Sequence, residues 1–262
     1  MKYIYRRECF SKKLYGKELP VFSYKEIDST NEEAKRFLAD GSVEQALFVA
    51  ESQTAGKGRR GRSFYSPAGK GIYMSLLFTT QEELSDVIFV TTAVAVIVAC
   101  ALEEVTSAPA VIKWVNDIYM NNRKVCGILT EAVLPTEQCH KTGVVVGIGI
   151  NVSTDNFPDE LRMVAGSLGV KAQEQEVKEA LIQSVTEGLI DFLEHVKDHS
   201  CIEEYRKRSM VLGQSVICFD GAGSYEAKAL DIDKQGGLIV ETLSGERKVL
   251  HTGEITIRLC EP

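Results

Sequence analysis

From residue 87 to residue 102 the chain runs sixteen positions without a charge, and this run limits the fold more than any other stretch. A helix that is apolar on every side cannot face water and must be enclosed by other elements. Sixteen residues also fall short of the roughly 18–20 needed to cross a bilayer, and Thr91 and Thr92 interrupt the run. The reading is a helix over about 85–105 buried in a core, with no membrane partner. The rest of the chain has the means to bury it: of 262 residues, 44% are apolar and 26% charged, ordinary for a globular protein of this size.

Strand patterns that would form the enclosing layer occur at 21–27, 45–52, 71–79, 111–119, 124–133 and 142–152. Between the first two, Asp28-Ser29-Thr30-Asn31 opens a helix. Ser29 or Thr30 is expected to cap it, and Glu33 to complete a capping box; such an N-terminus is also an anion site. Asn121-Asn122 reads as a turn and 153–170 as loop. Helical spacing returns over 177–196, followed by a shorter charged helix over 202–208. After Gly213 the pattern changes to short strands at 215–219, 225–231, 238–241, 247–251 and 255–259, separated by Asp-Gly, Gly-Gly and Ser-Gly turns. A small β-barrel of about fifty residues is expected there, with the boundary near 211.

The second strand pattern runs into Gly56-Lys57-Gly58-Arg59-Arg60-Gly61-Arg62, three glycines and four cations in seven residues. Glycine lets a backbone come close to a ligand. Successive N–H groups with Lys and Arg heads then form a cradle for carboxylate or phosphate. Taken alone, the stretch reads equally as a solvated basic loop or a nucleic-acid patch. The net charge of −7 opposes the latter and favours a discrete anionic ligand. Gly147-Ile148-Gly149 lacks the third glycine and the following helix of a dinucleotide fingerprint, so its glycines are expected to let a ligand approach the sheet. Seven cysteines without a C-x-x-C pair and four scattered histidines read as reduced thiols in a cytoplasmic protein.

Four motifs stand in one order along the chain. They are Asp28-Ser29-Thr30-Asn31; Gln53 with 55–62 and Ser66-Pro67; Lys113-Trp114-x-Asn116-Asp117 running on to Lys124-x-x-Gly127-Ile128-Leu129-x-Glu131; and Gly147-Ile148-Gly149-Ile150-Asn151-Val152. Together they resemble the biotin protein ligases, the biotin–[acetyl-CoA-carboxylase] ligase family, over about 21–260. Gly253-Glu254-Ile255 is similar to the family's last strand. Lys57 stands where many relatives carry Arg, and Val115 replaces a usual Pro. The segment before Val21 is expected to be too short for the helix-turn-helix of repressor-type members, so no DNA partner is expected.

The resemblance implies an α+β fold. A catalytic domain over 1–210 would have a central mixed or antiparallel sheet with helices packed on it, as in class II synthetases, and 211–262 would form an SH3-like barrel. It also implies two chemical steps: biotin's carboxylate attacks the α-phosphate of ATP, assisted by Mg2+, and a lysine of a biotin carboxyl carrier domain then takes the biotinyl group from biotinyl-5′-AMP. Lys124, Arg59 and Asp117 are the implied catalytic residues, Lys124 foremost. Ser29, Thr30, Asn31, Gln53, Lys57, Gly58, Arg59, Lys124 and Gly127 are the implied biotin contacts. Gly56, Lys57, Arg59, Arg62, Asn116, Lys124 and Asn151 are those of ATP and the adenylate. No metal ligand is assigned, and Trp114 is a candidate wall for the apolar tail. The carrier domain belongs to acetyl-CoA carboxylase or a related carboxylase, and a homodimer is among the expected states. Two rivals share parts of this pattern, a lipoate–protein ligase and a non-catalytic biotin sensor or corepressor.

Overall fold

Among the described residues of the computed structural model (13–14, 16–80, 87–135, 140–170, 172–195, 199–220, 223–251 and 254–257), the first part of the chain forms a mixed sheet with helices on both faces. In order it runs β1 (Lys13–Leu14), β2 (Lys17–Glu18), β3 (Val21–Tyr24), α1 (Thr30–Ala39), β4 (Gln45–Ala50), β5 (Gly71–Thr80), α2 (Val87–Thr106), β6 (Val111–Lys113), β7 (Asp117–Met120), β8 (Arg123–Val133), β9 (Thr142–Asn151), α3 (Glu174–Glu194) and α4 (Cys201–Arg208). The seven-stranded sheet has the order β3-β4-β5-β9-β8-β7-β6. Only β3 and β4 are parallel.

Alternation along the strands assigns two faces. Met74, Leu76 and Phe78 of β5, with Val144, Val146 and Ile148 of β9, join α2 and α3 in one apolar core. Leu77 and Val145, one residue out of phase, join Ala34 and Leu38 of α1 in the other. The uncharged run is the centre of the larger core: Val94, Ala95, Val98, Ala99 and Leu102 are wholly enclosed. The length argument against a membrane span fails, because α2 has 20 residues and a mean hydropathy of 2.1. What sets it apart is the packing of its faces against sheet, α3 and α4.

Two further expectations are corrected. The capping box does not form: Ser29 is the N-cap but makes no side-chain cap bond, and Glu33 instead accepts from Tyr24 Oη at 3.0 Å and Arg36 Nε at 2.6 Å. The strand expected over 111–119 is broken into the hairpin β6–β7 by a turn at 114–116 that contains a cis Trp114–Val115 peptide. Asn116 therefore sits in the turn. The Asn121-Asn122 turn is present, both residues at positive φ. Helix start 85–86, Gly253, 258–259 and the ends at 196–198 lie outside the described residues, as do Cys9, Cys139 and Cys260. Cys100, Cys126, Cys201 and Cys218 are free thiols.

The C-terminal part is a five-stranded antiparallel sheet of β10 (Ser215–Asp220), β11 (Gly223–Ile232), β12 (Leu238–Thr242), β13 (Arg247–Leu250) and β14 (Glu254–Ile257), in the order β13-β12-β11-β10-β14. Its inward residues Val216, Ala229, Leu238 and Val240 extend the same core as α2. The turn before β12 is the main strut. Gly236, at φ +85°, packs so closely on Thr92 and Ile88 of α2 that a Cβ there would lie 2.3 Å from Thr92 Oγ1. Its carbonyl accepts from Trp114 Nε1 at 2.9 Å.

Candidate active site

On the α1 side of the sheet, Tyr73, Gly149, Gly127 and Asp117 lie side by side across β5, β9, β8 and β7. The neighbouring row is Ser75, Gly147 and Leu129. Rows poor in side chains leave a trough, and a cavity of about 410 Å³ opens above it. Gly147 and Gly149 border the cavity, as the sequence suggested, and they also make room for the side chains beside it. A Cβ on Gly149 would lie 2.5 Å from the Phe64 ring, and one on Gly147 would lie 2.1 Å from Asn31 Oδ1. They admit Phe64 and Asn31, which in turn border the cavity.

One irregularity brings the main cation to this face. Between the pairs Ile118–Cys126 and Tyr119–Lys124, β8 has one residue more than β7. Val125 and Cys126 both enter the α2-side core, so simple alternation would have sent Lys124 there too. The bulge returns it to the cavity side, with Nζ 2.5 Å from Asp117 Oδ1. The Lys124 backbone donates to Val164 O at 2.9 Å and accepts from Gly166 N at 2.8 Å. Segment 157–165 is thereby held as a cavity wall, presenting Phe157, Leu161 and Val164. Burial also pushes the phenol of Tyr119 up to about 12, so this cavity-lining group is a neutral hydroxyl at physiological pH.

The basic glycine stretch is a folded hairpin. Gly58 N donates to Arg62 O at 2.7 Å and Phe64 N to Gly56 O at 2.8 Å. Arg60 and Gly61 reverse the chain at positive φ, which suits glycine at the second position. Lys57 Nζ pairs with Glu32 Oε1 at 2.8 Å. Arg59 Nη1 donates to Asn116 Oδ1 at 3.1 Å, and Asn116 Nδ2 to Ile128 O at 2.8 Å. The two loop cations are thus tied to α1 and to the 114–116 turn. Lys57, then Lys35, holds the Glu32 carboxyl below its usual range.

The N-terminus of α1 brings neutral polar groups to the cavity. Thr30 N donates to Gln53 Oε1 at 2.8 Å, and Gln53 Nε2 to Ser66 Oγ at 3.0 Å. Ser75 Oγ lies 2.7 Å from Thr30 Oγ1 and 2.6 Å from Asn31 Oδ1. Asp28 is the clamp of its motif. It takes the Arg36 fork at 2.8 and 2.9 Å and accepts from Ser29 N at 2.7 Å.

Ser29, Thr30, Asn31, Gln53, Lys57, Gly58, Arg59, Arg62, Asn116, Asp117, Lys124, Gly127 and Asn151 all border the one cavity. Gly56 does not. A Cβ there would lie 2.5 Å from Phe64 O and 2.6 Å from Ser66 Oγ, so it is glycine for close backbone packing beneath the loop. Trp114 borders the cavity but is buried, with its indole N–H given to Gly236. Sequence reading missed Phe64, Ser75 and the 157–165 wall. Neither Phe64, two residues past the basic stretch, nor Ser75, in an apolar strand, carries a local signal of its own.

Comparison with known proteins agrees with this geometry. Residues 24–151 match the Biotin/lipoate A/B protein ligase family and residues 211–258 the Biotin protein ligase C terminal domain. The chain is 34% identical over 234 residues to the bifunctional ligase/repressor BirA of Bacillus spizizenii, covering 85% of this chain and 70% of that protein. It is 30% identical over 243 residues to the biotin–[acetyl-CoA-carboxylase] ligase of Paracoccus denitrificans, covering 87% and 96%. Among solved structures, the biotin protein ligase from Aquifex aeolicus in complex with biotin and ATP superposes with a TM-score of 0.72 at 29% identity. That match covers 91% of this chain and 98% of the other.

Proposed function

Because the chain belongs to the biotin protein ligase family, we propose that its cavity binds biotin and ATP together and that its residues carry out both half-reactions. The observation that carries this reading is the polarity of the cavity. Neutral hydrogen-bonding groups at Thr30, Asn31 and Gln53 cluster at the N-terminus of α1, Lys57 is held beside them by Glu32, and Arg59 and Lys124 gather at Asn116 and Asp117. A cyclic urea fits the neutral cluster and a carboxylate beside a phosphate fits the cations.

In the first step a carboxylate oxygen of biotin attacks the α-phosphorus. The bond to the bridging β-phosphate oxygen breaks, and pyrophosphate leaves with its electron pair. One anion must approach another, so fixed cations where charge develops supply most of the help. On this reading Lys124 stands between the two reactants, and Arg59 and Lys57 reach them from the loop. Bound with the nucleotide, Mg2+ would supply further charge neutralisation at its phosphates, and Asn116 is the side chain that would help to position it. Arg62, Asn116 and Asn151 line the nucleotide side. Phe157, Leu161 and Val164 form an apolar wall of the cavity, which on this reading faces the base.

In the second step the carrier's lysine attacks the acyl carbon, the C–O bond to AMP breaks, and an amide forms. The amine must lose a proton, and Asp117 is the carboxylate within the cavity that can accept it. Lipoate offers no N–H or C=O on its ring to meet Thr30, Asn31 and Gln53, which favours biotin. The acceptor is the carrier domain of acetyl-CoA carboxylase or a related carboxylase, in the cytoplasm. The same proposal divides the chain into a catalytic part at 1–210 and an SH3-like part at 211–262, and includes pairing of two copies, tested by light scattering.

The deciding experiment is the intact mass of a biotin-acceptor domain after incubation with this protein, Mg·ATP and either biotin or lipoate. Addition of biotin alone is expected. Addition of lipoate would overturn the assignment of the polar end, and tight biotin binding without transfer would point to a sensor.

A further inference from the structure

Glu131 belongs to the Lys124-to-Glu131 motif, yet it does not border the cavity. It lies on β8 beyond Leu129, and each of its oxygens is engaged. Oε1 accepts from Lys35 Nζ at 2.7 Å, and Oε2 accepts from Asn31 Nδ2 at 2.8 Å. The other Asn31 amide proton goes to Leu129 O at 3.3 Å. Both partners of Nδ2 are pure acceptors, which fixes the Asn31 amide: Oδ1 must face Ser75 and Gly147.

Proton counting then sets the direction of the whole polar end. Asn31 Oδ1 can only accept, so the single Ser75 hydroxyl proton points to it across 2.6 Å. Ser75 must in turn accept from Thr30 Oγ1 across 2.7 Å. Thr30 has no second hydroxyl proton, so its 3.2 Å approach to Gln53 Oε1 carries none; that oxygen is met by Thr30 N–H. Gln53 Nε2 gives one proton to Ser66 and keeps the other. Acceptor lone pairs remain on Thr30 Oγ1 and Asn31 Oδ1, and a donor remains on Gln53. A cyclic urea presents the complement, two N–H groups and one C=O.

We propose that Glu131 is a positioning residue that sets this donor–acceptor polarity through Asn31, and thereby selects the urea head group. The proposal rests on the biotin reading above. With Glu131→Gln, the side-chain amide can offer a proton where the carboxylate only accepted. Asn31 can then turn over and place N–H groups against the N–H groups of the urea. A buried donor facing a donor leaves both unsatisfied, which corresponds to about ten- to hundredfold weaker binding.

The test is calorimetric titration of biotin into the wild-type protein, Glu131→Gln, Asn31→Ala and the double variant, without nucleotide. Expected are the loss above for Glu131→Gln and no further loss when it is added to Asn31→Ala, since the effect passes through that amide. In turnover the biotin KM should rise, while transfer from preformed biotinyl-AMP and the KM for ATP stay within about twofold of wild type. Lys35→Met, which leaves the Glu131 carboxylate an acceptor, serves as the folding control and should bind biotin nearly as the wild type does. Wild-type protein that fails to bind biotin would overturn the head-group reading itself. Unchanged affinity in Glu131→Gln, or a full additional loss in the double variant, would overturn only the role of Glu131.

Discussion

Lys124 Nζ and Asp117 Oδ1 lie 2.5 Å apart on adjacent strands, and they meet because Val125 is the extra residue of a bulge. The pair holds the principal cation at the cavity with its partner carboxylate beside it. Lys124→Met is expected to slow adenylate formation about 10²–10³-fold, the size found for removing one fixed stabilising group, as measured by ATP–pyrophosphate exchange. Asp117→Asn should slow transfer from preformed biotinyl-AMP; a normal transfer rate would restrict Asp117 to holding Lys124.

Gly147 and Gly149 have no room for a methyl group. Gly147→Ala places a Cβ 2.1 Å from Asn31 Oδ1, and Gly149→Ala places one 2.5 Å from the Phe64 ring. The first should weaken biotin binding by at least about tenfold, because Asn31 must leave its place among buried polar partners. The second should disturb the loop instead, through Phe64. Titration of biotin and of ATP into each variant separates the two effects.

The clamp at the start of α1 gives stability a defined pH dependence. The Arg36 guanidinium holds the Asp28 carboxyl below its ordinary 3.8. A carboxylate whose folded pKa is depressed contributes stability above its unfolded pKa and loses it as pH falls through the folded value. Asp28→Asn should therefore lower Tm near neutral pH and cease to matter in the acid range below 3.8. The loss is modest, as the pair is half exposed. Thermal scans of both proteins across that range check it.

At the junction with the small sheet, Trp114→Phe keeps the ring packing and removes the bond to Gly236 O. The carbonyl is left in the interior, at a cost of about 1–3 kcal/mol, read as a lower midpoint in urea.

Much of this was legible in the sequence, for stated reasons. Strand and helix positions followed from apolar spacing, and the charged loop announced an anion site because glycine and cations are unusual together. What escaped depended on contacts far apart in the chain. Glu33 was expected to cap α1, but Tyr24 and Arg36 bind it first. Residues 111–119 have the composition of one strand, and the turn within them is set by the packing of Trp114 and Val115. Ser75 is a single hydroxyl in an apolar run, meaningful only once α1 lies over it. Phe64 is explained by glycines that no local pattern connects to it.

The Trp114–Gly236 contact also changes what the small sheet is. Its turn bears on α2 through Gly236 and on the indole through one carbonyl. Two residues past the indole, Asn116 holds Arg59 of the loop. Small sheet, indole, turn and loop cation are therefore mechanically in series.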